Sequence, residues 1–204
     1  GEQRTVRLSD GTVINLNTHS AVDVRFDEKQ RRVILQDGEI LVETGHGDAR
    51  PFIVETREGS MRALGTRFLV KREEDGTRLS VLKSAVAAHP ESSPDEQILQ
   101  EGQQVLMRSN GLGPIATLGV GADAWTQGML VVDNARLQDL VHELARYRRG
   151  HLGVAPEVAD LRITGSFPLN DTDLALSALL PTLPVQIEQR TSWWVTVAKA
   201  DAKP

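Results

Sequence analysis

The chain has 204 residues, 40% hydrophobic and 25% charged, with a formal net charge of -5. That balance fits one large soluble domain or two small ones, and argues against general nucleic-acid binding, which needs a basic face. No stretch reaches the roughly eighteen consecutive apolar residues that read as a membrane span, and the absence of cysteine excludes disulfides and thiolate zinc sites.

The first residues, Gly1-Glu2-Gln3-Arg4-Thr5-Val6, already follow a strand pattern with no signal peptide, so the chain reads as a piece of a longer protein. From 4 to 107, apolar residues alternate with polar ones. Val6 and Leu8, Ile14 and Leu16, and Val22, Val24 and Phe26 open the series. Ile40 and Val42, Phe52 and Val54, Phe68 and Val70, Leu79 and Val81, and Val105 and Met107 continue it. A period of two places one set on a buried sheet face and the other in water. Acid-glycine pairs punctuate the strands: Asp10-Gly11, Asp37-Gly38, Glu58-Gly59, Asp75-Gly76 and Glu101-Gly102. Each reads as a hairpin turn, because glycine tolerates positive φ. Their spacing is irregular, so no strict repeat is expected. Residues 90–95 (PESSPD) read as a surface loop, and 109–121 (SNGLGPIATLGVG) as a glycine-rich linker that would permit movement.

The pattern changes over 124–147. An apolar run at 129–132 meets Asp133-Asn134, and then Leu137, Leu140, Val141 and Leu144 follow a helical period. Asn134 is the expected N-cap of a helix of about thirteen residues, marginal alone and so packed on a sheet. Arg146, Arg148 and Arg149 suit its negative end. Strands are expected at 152–154 and around Leu161, Ile163 and Phe167. A second helix should start at 170–173 with Leu174, Ala178, Leu179 and Leu180 inward, and stop at Pro181. Strands at 185–188 and 193–197, with 189–192 as their turn, complete two similar half-units. The predicted fold is therefore an all-β, hairpin-rich antiparallel domain over 1–123, followed by a small α+β domain over 124–204 with two helices on one sheet.

Several motifs resemble the periplasmic part of FecR-type sigma-factor regulators. Leu8-x-Asp10-Gly11-Thr12-x-Ile14-x-Leu16-Asn17 is similar to the family's opening hairpin, and Leu64-Gly65-Thr66-x-Phe68-x-Val70 to its most recognisable motif. Gly38-Glu39, Pro51-Phe52-x-Val54, Gly102-Gln103 and Ala124-Trp125-x-x-Gly128-x-Leu130 fall in the expected order. One departure is Lys83-Ser84, where the family often has an acid-glycine pair. The final eighty or so residues resemble the short N-terminal βαβ-repeat module of secretins and TonB-dependent receptors. The resemblance implies the periplasmic region of an inner-membrane regulator. Its partner would be the N-terminal signalling domain of an outer-membrane TonB-dependent siderophore transducer. An extracytoplasmic-function sigma factor would be reached only through a cytoplasmic segment outside this chain, beyond a membrane helix. A secretin-apparatus-like structural or interaction module, and a periplasmic glycan-binding or hydrolytic domain, are the rival readings. An aromatic content of 4% argues against the glycan version.

No enzyme is expected. There is no G-x-S-x-G elbow, H-E-x-x-H pair or G-x-x-x-x-G-K-[ST] loop, and Gly111, Gly113, Gly119 and Gly121 do not form a dinucleotide fingerprint. His19, His46, His89, His142 and His151 show no ligand spacing, so neither metal nor cofactor is predicted. Arg146-Tyr147-Arg148-Arg149 reads first as dipole complementation and only second as a patch for an acidic partner. Trp125 is assigned to interdomain packing. Trp193-Trp194 is the most informative pair: neighbours in a strand face opposite ways, so one can be core and the other then faces water, the first domain or a partner. The partner-binding candidates are Leu130 and Val132 on a boundary strand at 128–133, and Trp193, Trp194 and Val195 on the last strand at 191–198, both read as edges or near-edges open to strand addition.

Overall fold

In a computed structural model, which describes residues 2–191 and 193–200, the period-two alternation of the first part of the chain is strand almost throughout. The chain divides into two units, Glu2–Leu118 and Gly119–Pro204. The first holds β1 (Arg4–Arg7), β2 (Val13–Leu16), β3 (Ala21–Phe26), β4 (Arg31–Asp37), β5 (Glu39–Glu43), β6 (Phe52–Thr56), β7 (Gly59–Ala63), β8 (Arg67–Glu73), β9 (Gly76–Lys83), β10 (Ala85–Pro90), β11 (Gln97–Gln100), β12 (Gln103–Arg108), β13 (Gly111–Leu112) and β14 (Ala116–Thr117). One sheet runs β1-β2-β5-β8-β9-β12-β13, with β14 also on β12, and the other runs β11-β10-β7-β6-β4-β3. Neighbours are antiparallel except β4 and β6, which are parallel. Ile14, Ile40, Phe68 and Leu79 from the first sheet meet Val33, Phe52, Met61 and Leu99 from the second in one core. Burial of each such side chain contributes about 1.5–3 kcal/mol, which holds the layers face to face.

In both sheets the strands follow one another in chain order, so the chain advances steadily along the sandwich while switching layers. Every switch carries a residue in the left-handed region: His19 between β2 and β3, Gly38 between β4 and β5, Gly47 between β5 and β6, Gly65 between β7 and β8, Ser84 between β9 and β10, and Gly102 between β11 and β12. Two of the expected hairpin turns are therefore corners. Asp10-Gly11, Glu58-Gly59 and Asp75-Gly76 join paired strands, but Asp37-Gly38 and Glu101-Gly102 carry the chain from one sheet to the other. Ser84 takes the place of a glycine at φ 65°; its hydroxyl donates to the Leu64 carbonyl at 3.1 Å.

Strands β4, β7, β10 and β11 were not legible from alternation. β4 contains the unbroken run Val33-Ile34-Leu35, β10 is alanine-rich, and β11 has only four residues. Pro90 ends β10 opposite Gly59 rather than opening a loop. Much of the segment read as a linker is also strand. β13 and β14 fold back on β12, and Leu118 N–H donates to the Gly102 carbonyl at 2.7 Å.

The second unit opens on a single 3-10 turn, Ala124–Gln127, that buries Trp125. It continues with β15 (Met129–Arg136), α1 (Leu137–Ala145), β16 (His151–Val154), β17 (Arg162–Pro168), α2 (Thr172–Ser177), β18 (Val185–Thr191) and β19 (Trp194–Lys199). The element order is the expected one, but the strands form two sheets, β15-β17 and β16-β19-β18, rather than one. Leu137, Leu140, Val141 and Leu144 are all buried on α1, which has nine residues. Asn134 is not its cap. It sits at φ 48° in a bulge of β15, with its N–H on Thr164 Oγ1 at 2.8 Å. The strand runs straight into the helix, and the first helical amides, Leu137 and Gln138, donate to the carbonyls of Leu161 and Ala159.

Asp171 does cap α2, accepting from Leu174 N–H at 2.9 Å. The inward face is Ala175, Leu176 and Leu179, whereas Leu174, Ala178 and Leu180 are exposed; the helix itself ends at Ser177, before Ala178 and Leu180. The basic run is engaged locally: Arg146 pairs with Glu143, and Arg148 pairs with Asp173 of α2 at 2.8 Å. The turn expected at 189–192 is displaced, since β18 continues to Thr191; Ser192 lies outside the described residues.

The corners give a sharp contrast between two glycines. A Cβ on Gly38 would overlap Ser20 and the His19 carbonyl, whereas one on Gly102 meets nothing, and both have positive φ. Gly102→Ala should cost about 1–2 kcal/mol, the left-handed penalty alone. Gly38→Ala should cost about 3 kcal/mol or more, and urea midpoints of the two variants measure the gap.

Candidate interaction face

The β16-β19-β18 sheet has one face filled by its own unit. Val195 and Val197 of β19 point inward, and the register sets Leu152 and Val154 of β16 and Ile187 of β18 beside them. The alternate residues, His151 and Gly153, Trp194 and Thr196, and Gln186 and Glu188, therefore share the outer face. That face is a shallow hollow of about 580 Å³, rimmed by Glu157, Arg190 and Lys199.

At its centre the His151 imidazole stacks on the Trp194 indole, with ring centroids 4.1 Å apart and planes at 29°. Gly153 makes room for this: a Cβ there would stand 2.8 Å from His151 Nε2. Trp193 is held by its backbone. Its carbonyl accepts from His151 N–H at 2.6 Å, and a Cβ on Gly150 would overlap it. Its side chain stays free in the turn before β19, 58% exposed, while Trp194 is 47% exposed.

The structure thus corrects the reading of this pair. Neither indole is core, because Trp193 precedes the strand and the alternation begins only at Trp194. Val195 is buried and offers no side chain to a partner. Of the two readings of β19, edge or near-edge, the second holds: it lies between β16, parallel to it, and β18, antiparallel. Leu130 and Val132 sit half-buried on β15, opposite Phe167 and Gly165, in the other sheet, so they do not join the tryptophans. β15 does keep an unpaired side, as expected of the boundary strand. His151, Gly153, Glu188 and Arg190 were missed as members of the face. The parallel register, linking segments some forty residues apart, brings His151 and Gly153 to β19, and the antiparallel β18-β19 pairing brings Glu188 and Arg190.

The strongest charge cluster lies in the first unit and is structural. Arg31, nearly buried, donates to Asp10 Oδ2 at 2.7 Å and to the Arg50 carbonyl at 2.6 Å, with its guanidinium 5.5 Å from the Phe52 ring centroid. Asp48 accepts from Arg50 at 2.6 Å, which closes the loop at 44–51. Burial raises the Asp10 pKa, but the Thr12 hydroxyl and amide and the Arg31 guanidinium outweigh it and hold the carboxyl below its ordinary value. At Glu58 burial likewise raises the pKa, and Arg57, Thr77 and Arg72 outweigh it and hold the carboxyl below its ordinary value. Each nitrogen of the Arg31 guanidinium has a partner within the unit, so the cluster clamps a loop.

A folded-state pKa below the unfolded one stabilises at pH above the unfolded value and loses that contribution as pH falls through the folded one. Stability of the first unit should therefore decline as pH drops below the ordinary carboxylate values of 3.8 for Asp10 and 4.5 for Glu58. Asp10→Asn should flatten that decline, as followed by thermal unfolding between about pH 5 and 2.

The FecR protein family matches residues 1–87 of the chain. Two crystal structures of a "putative anti-sigma factor" from Parabacteroides distasonis ATCC 8503, at 1.65 and 2.50 Å resolution, are similar over both units, with TM-scores of 0.80 and 0.79. Each is 24% identical and covers 98% of this chain and 96% of its own. No curated protein sequence matches. Among the described residues no helix is long and apolar enough to cross a membrane, a statement that leaves β-barrels aside.

Proposed function

We propose that the chain, whose residues 1–87 match the FecR protein family, is the periplasmic sensing region of a FecR-type regulator. It binds the N-terminal signalling domain of an outer-membrane TonB-dependent siderophore transducer. It relays the state of that domain toward an extracytoplasmic-function sigma factor through segments outside this chain. In this reading the chain binds and does no chemistry. The description of the Parabacteroides distasonis protein as a putative anti-sigma factor supports the sigma-factor connection. The order strand-helix-strand, strand-helix-strand-strand of the second unit supports its likeness to the short N-terminal module of secretins and TonB-dependent receptors.

The observation that carries the proposal is the outer face of β16-β19-β18, which displays the exposed Trp194, with the exposed Trp193 next to it in the turn before β19. Tryptophan is enriched among the residues that dominate protein interfaces. Covering the remaining exposed indole surface, on the order of 100 Å² each, removes enough apolar area to contribute about 2.5 kcal/mol each. The polar rim of Glu157, Glu188, Arg190 and Lys199 offers charges of both signs for orientation. Binding that favours one state of the regulator over another by its difference in affinity transmits the signal.

Calorimetric titration of the chain with candidate transducer signalling domains tests the proposal. The double variant Trp193→Ala, Trp194→Ala should weaken binding by about a hundredfold while its thermal midpoint stays close to the parent's, because neither indole supports the core. Unchanged affinity would remove this face from the proposal.

A further inference from the structure

Four strands of the second unit leave one side unpaired among the described residues: β15, β16, β17 and β18. Three carry features that discourage pairing. β15 is bulged between Val132 and Ala135, β17 ends in Pro168, and β18 is studded with Glu188 and Arg190. β16, His151-Leu152-Gly153-Val154, has no charged residue, bulge or proline.

Its hydrogen-bonding is settled by the parallel register. His151 N–H donates to the Trp193 carbonyl and Ala155 N–H to the Val197 carbonyl, so the odd-numbered residues face β19. Successive residues of a strand point their amides to opposite sides, so the N–H and C=O groups of Leu152 and Val154 face the open side. That side is flanked by two hollows sharing Gly153 and Val154. One is the outer face of about 580 Å³; the other, of about 300 Å³, lies against α1 and is lined by Gln138, Asp139, Val141 and His142. A strand laid along β16 would send alternate side chains into the two hollows.

We propose that the open edge of β16 receives an extended segment of the partner protein, which extends the β16-β19-β18 sheet by one short strand. The segment forms up to four backbone hydrogen bonds with Leu152 and Val154. It sets an apolar or aromatic residue against Trp194, and its neighbour against the α1 hollow, where Gln138, Asp139 and His142 favour a polar residue that donates hydrogen bonds. This deepens the transducer reading and rests on it for the partner's identity, but not for the edge itself.

The test is amide-resolved hydrogen exchange and titration by NMR on the full chain, with two probes. The first is the transducer signalling domain; the second is a capped hexapeptide of alternating valine and threonine. In the complex, the amides of Leu152 and Val154 should become protected at least about tenfold, while Gly153, already bonded to β19, changes little. Val154→Pro removes a donor from the open side only, and should weaken the signalling domain's binding about tenfold or more. If the domain binds with no added protection at Leu152 and Val154, or binds Val154→Pro equally well, the edge proposal fails and the transducer reading stands. If the domain does not bind at all, that reading fails, and the hexapeptide decides the edge: shifts confined to Leu152, Val154 and the α1 hollow support it, and none at saturating peptide overturns it.

Discussion

The parallel pairing of β16 with β19 is the interaction on which the functional argument depends. It sets His151 against Trp194 and Leu152 against Val195, so one register defines both the packed face and the displayed one. It also makes β19 central and leaves β16 open on its far side. A shift of one residue would exchange the two faces, burying Trp194 and exposing Val195 and Val197. The inward valines, each at most 2% exposed, oppose such a slip, so the hydrophobic core and the exposed indoles are two consequences of one alignment.

The first unit depends on a different constraint. A chain that must place strands in two layers has to leave one sheet and enter the other without wasting residues. Here single residues in the left-handed region do this, with glycine at four of the six corners and His19 and Ser84 at the others. The result advances like a solenoid but has no repeat in its sequence, because hairpins and single strands alternate unevenly between the layers. Its buried charges follow the same logic: Arg31 and Asp10 secure the loop between β5 and β6, the longest of the crossings, with side-chain and carbonyl partners inside the unit.

Much of this was legible from residue patterns. The FecR likeness, the inward face of α1 and the cap at Asp171 follow from local spacing, and local spacing is what survives folding. What was lost depends on pairing between distant segments. Asp37-Gly38 has the composition of a hairpin turn, yet whether its flanking strands pair or part company is decided by which layer each joins. Asn134 has the chemistry of a cap, but the amides it would have served were taken by backbone carbonyls from 159 and 161. The tryptophan pair drew attention for a sound reason, and its orientation was misread because the strand begins one residue later. The histidine under Trp194 carried no signal of its own; the absence of a side chain at Gly153, which gives the imidazole its place, is visible only once the register is known.

The central claim is that the outer face of β16-β19-β18 is covered when the partner binds. Tryptophan fluorescence with acrylamide as quencher reads this directly, because Trp125 is buried while Trp193 and Trp194 are exposed. With a signalling domain whose own tryptophans are replaced, the account predicts two accessible indoles in the free chain, and loss of quenching with a blue-shifted emission in the complex. Tight binding that leaves the quenching of both indoles unchanged would contradict it.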